Sequence, residues 1–194
     1  MKKSFLRNLL LIGLTFEILS FDSPKAWFNA GSMPKSYEMG IEKGTGQNGK
    51  NAATIKSIDK RIDGFGTLMQ QCVPDKFLGK KIKMTSFVKT ENVTNWAGIW
   101  LRVDKSNSHQ PLSFDNMGDR PIKGTTEWTK YEIILDVPNN ASLLAYGALL
   151  DGTGQIWFDN ITFEIISDFA PSTSSTTIKK YPTVKEPTNL DFEN

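Results

Sequence analysis

From Tyr37 to Ile166 the chain is a succession of short runs in which apolar and polar residues alternate with a period of two, separated by turn residues. That periodicity belongs to half-buried strands, and a helical period is almost nowhere visible. Tyr37, Met39 and Ile41 share one parity, and Ala53 to Ile58 follows a glycine-rich cluster running from Gly44 to Asn51. Gly64 to Val73 is the next run and stops at Pro74-Asp75. Lys81 to Thr90 sets Ile82, Met84, Ser86 and Val88 against Lys83, Thr85, Phe87 and Lys89. Trp128 to Pro138 carries Tyr131, Ile133 and Leu135 on one face, and Leu143 to Leu150 is apolar on both. After the tight turn Asp151-Gly152-Thr153-Gly154, Gln155 to Ile166 is the last strand. Many short strands at this spacing predict an all-β, two-sheet antiparallel β-sandwich over residues 21–166.

One strand differs from its neighbours. In Trp96-Ala97-Gly98-Ile99-Trp100-Leu101-Arg102-Val103, the parity of Ala97, Ile99, Leu101 and Val103 is ordinary core. The opposite parity sets Trp96, Trp100 and Arg102 in a row, with Gly98 leaving space between the two indoles. Amphipathic rings beside a fork of donors suit a ligand that is part apolar and part hydroxylated, such as a sugar. The other reading of this face is a covered one, since a central strand of a sandwich can be buried on both sides.

The connection that follows, Asp104 to Glu127, is long for a compact domain and mixes aromatic, carboxylate, amide and guanidinium groups. Loops of that length are commonly functional or disordered. Asp115, Asn116 and Arg120 are the groups positioned to bond ligand hydroxyls at the mouth of the tryptophan face; the competing reading is an internal Asp–Arg clamp that orders the loop. In the last strand, Asp159 lies on the parity of Trp157, Ile161, Phe163 and Ile165. A carboxylate aimed at a core needs backbone N–H groups, a cation or a metal, so Asp159 is read as a backbone-bonded turn carboxylate or as a calcium ligand, with a catalytic role as the third reading.

Composition excludes several classes of function. Among 194 residues, 23 basic side chains face 21 acidic ones, which leaves no basic footprint for nucleic acid. The single cysteine, Cys72, makes no intramolecular disulfide, and the single histidine, His109, sits in a polar loop-like run. Residues 1–20 open with Lys2, Lys3 and Arg7 before Leu9 to Leu14, a pattern resembling a signal peptide and too short for a stable membrane span. Glu17 interrupts it and no small-x-small cleavage site follows; an extracytoplasmic or secreted location is the expectation, with a cytoplasmic one if the segment is not a signal. From Ala170 the composition turns to Ser, Thr and Pro, so 167–194 reads as a flexible tail. Its end, Leu190-Asp191-Phe192-Glu193-Asn194, repeats the pattern of Leu19-Ser20-Phe21-Asp22-Ser23, either as the opening strand of a further unit or as a segment returning to the sheet.

Four stretches carry a resemblance to the galactose-binding-like jelly rolls, the scaffold of many carbohydrate-binding modules. They are Gly49-Lys50 before a strand, Gly79-Lys80-Lys81 leading to Ser86–Thr90, Thr126–Tyr131 through Val137-Pro138, and Gly154–Asn160 through Phe163-Glu164. Trp27–Ser32, Gly64–Gln70 and Phe114–Met117 before Arg120-Pro121-Ile122 are similar to a bacterial subfamily found alone or attached to AraC-type regulators. No helix-turn-helix segment is visible in this sequence. The resemblance implies a structural calcium near the first and last strands, held here by Asp22 and Asp159, with Asp22 shorter than the usual glutamate.

The expectation is therefore a non-catalytic module that requires no cofactor. It binds a glycan or small polar ligand through Trp96, Trp100 and Arg102 with Asp115, Asn116 and Arg120. The alternative is a protein-interaction or structural domain using the same face, because Trp and Arg are also enriched at protein hot spots. A glycosidase would need two carboxyl groups, for which Asp115 and Asp119 are the nearest pair in sequence. The sequence leaves the oligomeric state open.

Overall fold

The computed structural model describes residues 21–168 and 184–194. The signal-like stretch 1–20 lies outside the described residues. Nine strands run in chain order: β1 (Phe28–Gly31), β2 (Tyr37–Glu42), β3 (Ala52–Ser57), β4 (Phe65–Cys72), β5 (Lys80–Asp104), β6 (Ser113–Asp115), β7 (Ile122–Val137), β8 (Leu143–Asp151) and β9 (Gln155–Asp168). All their pairings are antiparallel, and the path β1-β4-β8-β5-β9-β3-β2 is continuous, with β6 and β7 paired to β5.

Continuity comes from β5, which passes through both leaves of the sandwich. Its first part, from Lys80 to Glu91, pairs with β9 on one side and β7 on the other. From Trp96 to Asp104 it pairs with β8, and Leu101–Val103 pair with β6. Ile82, Met84 and Val88 from the first part join Ala97, Ile99, Leu101 and Val103 from the second in a single core. Each Ile, Leu, Met or Val among them contributes roughly 1.5–3 kcal/mol when taken out of water. β8, apolar on both faces, lies between β4 and β5 as its pattern predicts.

Three sequence expectations need correction. First, the parity assigned to the last strand does not hold along its length. Ile156 and Phe158 face the core, whereas Trp157 lies outside it, donating from Nε1 to Glu42 at 2.6 Å with the Lys89 ammonium 5.4 Å from its ring centre. A bulge around Asp159–Asn160, where Asn160 has φ 52°, then turns Ile161 and Phe163 inward. An extra residue in one strand shifts every later side chain to the opposite face. Second, strand begins at Ile122 and a short strand spans Ser113–Asp115, so the long connection is shorter than the turn composition suggests.

Third, the tail expected to be flexible over 167–194 ends in a docked segment. Val184 bridges to Cys72 in parallel, and Val73 N–H donates to the Val184 carbonyl at 3.1 Å. The buried Gln70 amide exchanges two hydrogen bonds with the Thr188 backbone, at 2.9 and 3.0 Å. Phe192 is wholly buried, its ring centre 5.0 Å from that of Trp27 and 5.2 Å from that of Phe158. Ile161 N–H donates to the Leu190 carbonyl at 3.0 Å. Composition registers the Ser/Thr/Pro run but not the apolar slot that receives Phe192. No described helix is long and apolar enough to cross a membrane.

Candidate functional site

The outward parity of β5 forms one wall of a cleft of about 470 Å³. Trp96, Trp100 and Arg102 all line it. β4 contributes Phe65, Thr67, Met69 and Gln71, the parity opposite to its core-facing Leu68 and Cys72. β8 adds Ala145 and Leu149, and the loop after β6 adds Asn116.

Trp100 is the floor. Only 8% of its surface is exposed, and it packs with Met69, Ala145 and Leu149. Its Nε1–H donates to Thr67 Oγ1 at 2.9 Å, and that hydroxyl donates on to the Ala148 carbonyl at 2.6 Å. A satisfied indole N–H held between two strands fixes the ring plane. Trp96 is partly exposed, and Phe114, 48% exposed, stands at the rim. The covered and open readings of this face thus apply to different residues: Trp100 is covered, Trp96 is not.

The space at Gly98 is filled by the chain itself. A Cβ there would lie 3.3 Å from the Asn116 carbonyl oxygen and 3.3 Å from Met117 Cβ, so the glycine lets this loop seat on β5. Met117, at φ 63°, is fully buried under it. Asp115 and Arg120 form the loop's internal clamp. The Arg120 Nη2 donates to Asp115 Oδ2 at 2.7 Å and Nη1 to Oδ1 at 3.2 Å, with a further bond to Asp119 at 2.8 Å. Asp115 Oδ1 also accepts from Met117 N–H at 2.8 Å. Of the three loop residues expected at the mouth, Asn116 lines the cleft, whereas Asp115 and Arg120 act on the loop.

At one end of the cleft, Arg102 Nε donates to both oxygens of Asp104 at 2.9 Å. Sequence reasoning missed Asp104, although Arg102-x-Asp104 places both on one strand face. It also missed Phe65, Met69 and Gln71; the mixed aromatic and polar parity of β4 is the signal that carries them.

The two residues expected to share a calcium ion, Asp22 and Asp159, are engaged separately in the structure. Asp22 is exposed and paired with Lys43 at 2.8 Å. Asp159 is buried, but its carboxylate accepts from Gln47 N–H at 3.2 Å, Asn160 N–H at 2.6 Å and Asn160 Nδ2 at 3.2 Å. N–H donors around an anion fill the role that a cation would fill. Burial pushes the Asp159 carboxyl above its ordinary range against those two backbone hydrogen bonds, and the fields of Glu193 and Asp191 add to the rise. The acids whose field reaches Asp159 thus come from the docked tail rather than from Asp22. Among the described residues, no group of three or more His, Cys, Asp or Glu side chains is arranged to hold a metal ion.

The architecture is that of the carbohydrate-binding-module jelly rolls. The N-terminal xylanase 10B modules of Clostridium thermocellum, a CBM22-1 and GH10 pair solved with xylohexaose, superpose with a TM-score of 0.56 at 16% identity, over 76% of this chain and 28% of that one. The CBM22-1 xylan-binding domain of Paenibacillus barcinonensis Xyn10C superposes with a TM-score of 0.54 at 11% identity, over 76% of this chain and 90% of that one. A Stig cyclase from Fischerella sp. TAU shares the fold with a TM-score of 0.51 at 16% identity, over 76% of this chain and 88% of that one. In sequence, the chain is 42% identical over 170 residues to a Bacillus subtilis (strain 168) protein named as the uncharacterized HTH-type transcriptional regulator YbfP, covering 87% of this chain and 57% of that one. The chain therefore spans little more than half the length of that relative. No family model matches it.

Proposed function

We propose that this chain is a non-catalytic binding module whose cleft takes a carbohydrate or a similar small ligand. The observation that carries the reading is the cleft itself: aromatic surface from Trp96, Trp100, Phe65 and Phe114 beside the polar side chains of Gln71, Arg102 and Asn116. A ring face stacks on the apolar walls while its hydroxyls meet the polar end. Asp104 is the carboxylate among the lining residues, and both its oxygens serve Arg102. A second carboxyl across a scissile bond, which glycoside hydrolysis requires, is not among the lining residues.

A glycan panel tests this with the parent chain and Trp96→Ala. The parent should retain at least one glycan class, and Trp96→Ala should lose it with an unchanged melting temperature. Equal binding by the two sinks the reading.

The relative named as a regulator favours a second reading on the same cleft, in which occupancy is sensed and passed to a neighbouring segment. The first reading places the chain outside the cytoplasm; the second does not need export. Cell fractionation of the full chain separates them.

A further inference from the structure

The cleft does not end at Arg102 and Asp104. Those two residues and Gln71 also line a second hollow of about 660 Å³, which is further lined by Lys105 and His109 from the loop after β5 and by Ser142 just before β8. The two spaces therefore share one partition, and they differ in chemistry. The first is walled largely by aromatic and aliphatic groups; the second is polar and carries net positive charge. Lys105 makes no ion pair among the described residues. The one acidic group lining the hollow, Asp104, has both oxygens held by Arg102 Nε.

A guanidinium presents two edges able to grip a carboxylate. Asp104 engages Arg102 through Nε, so the Nη1–Nη2 end is left without a hydrogen bond among the described residues. Arg102 lines both hollows, and Lys105 lines the polar one. Planar donors beside a second cation select a planar anion over a neutral hydroxyl, because charge-assisted bonds are about twice as strong as neutral ones.

We propose that the Lys105–His109 hollow is a second subsite continuous with the tryptophan cleft, and that it takes the carboxylate of an acidic sugar, a uronate, whose neighbouring ring lies in the cleft. The proposal rests on the carbohydrate reading above and narrows it to acidic glycans.

Calorimetric titration of the full chain decides it. The probes are oligosaccharides containing galacturonate, glucuronate or mannuronate, each paired with the same oligosaccharide after reduction of its carboxyl groups to alcohols. At least one acidic member should bind about tenfold more tightly than its reduced partner, the scale of one charge-assisted contact. Lys105→Gln and His109→Gln should each cut that advantage by roughly threefold or more, the scale of a partly screened charge or hydrogen bond. Lys56→Gln, at an exposed side chain of β3 in the other leaf, should not. Equal binding of acidic and reduced partners overturns the acidic subsite while leaving the cleft reading intact. An advantage that survives Lys105→Gln and His109→Gln, or falls equally in Lys56→Gln, also overturns it. If no acidic member binds, the subsite is overturned, and the broader glycan panel judges the cleft independently.

Discussion

Trp96→Ala and Trp100→Ala remove the same ring from the same strand face, yet they act on different quantities. Trp100 is buried and hydrogen-bonded to Thr67, so its truncation leaves a cavity and strips the Thr67 hydroxyl of a donor. A loss of about 3–5 kcal/mol in denaturant unfolding is expected. Trp96 is partly exposed, and its truncation should alter stability by less than about 1 kcal/mol while removing ligand affinity. Asp159 offers a pH test. Burial raises its native carboxyl above the ordinary range, so the folded chain holds this proton more tightly than the unfolded chain does. That contribution is fully present below the ordinary carboxylate range and is lost as pH rises through the raised native value. Across that window the parent should lose stability relative to Asp159→Asn, measured by melting temperature against pH; parallel curves would contradict this. Cys72 is buried with its thiol pushed up to about 12, chiefly by burial, so a thiol reagent should label it only after unfolding.

At the scale of elements, parity alone carries much of what the sequence discloses. Alternation in Trp96–Val103 places Trp96, Trp100 and Arg102 on one face, and the structure puts all three on the cleft. Parity fails where a strand gains a residue. The bulge at Asp159–Asn160 is set by local backbone conformation and by the Gln47 N–H that meets the carboxylate across the fold, neither visible as a period in the sequence. The loop from Phe114 to Arg120 is similar: its residue types were legible, but whether they face a ligand or one another depends on how the loop seats on Gly98. Gly98→Ala should therefore act through the loop. With Asn116 and Met117 already 3.3 Å from the added carbon, a cost of about 1–3 kcal/mol and a narrowed cleft are expected. Unfolding midpoints and ligand titration check the two parts separately.

For the molecule as a whole, the docked tail is a structural member. Phe192 completes an aromatic cluster with Trp27, Phe158 and Tyr146, and Thr188 satisfies the buried Gln70 amide. Phe192→Ala should cost about 3–5 kcal/mol, read from denaturant unfolding. A chain shortened after residue 183 should melt lower still and bind a hydrophobic dye. The tail's slot draws at once on Trp27 ahead of β1, on Gln70 and Cys72 of β4, and on Phe158 and Ile161 of β9, a juxtaposition that the Ser/Thr/Pro run before the tail does not disclose. A wider consequence belongs to β5. Because one strand is woven through both leaves, neither leaf can shed its backbone amides to solvent without tearing the other. Deuterium uptake in the centres of the two leaves should then follow one shared opening event, so a molecule held at Trp96 would slow exchange at Val88 and Phe158, far from any contact with it.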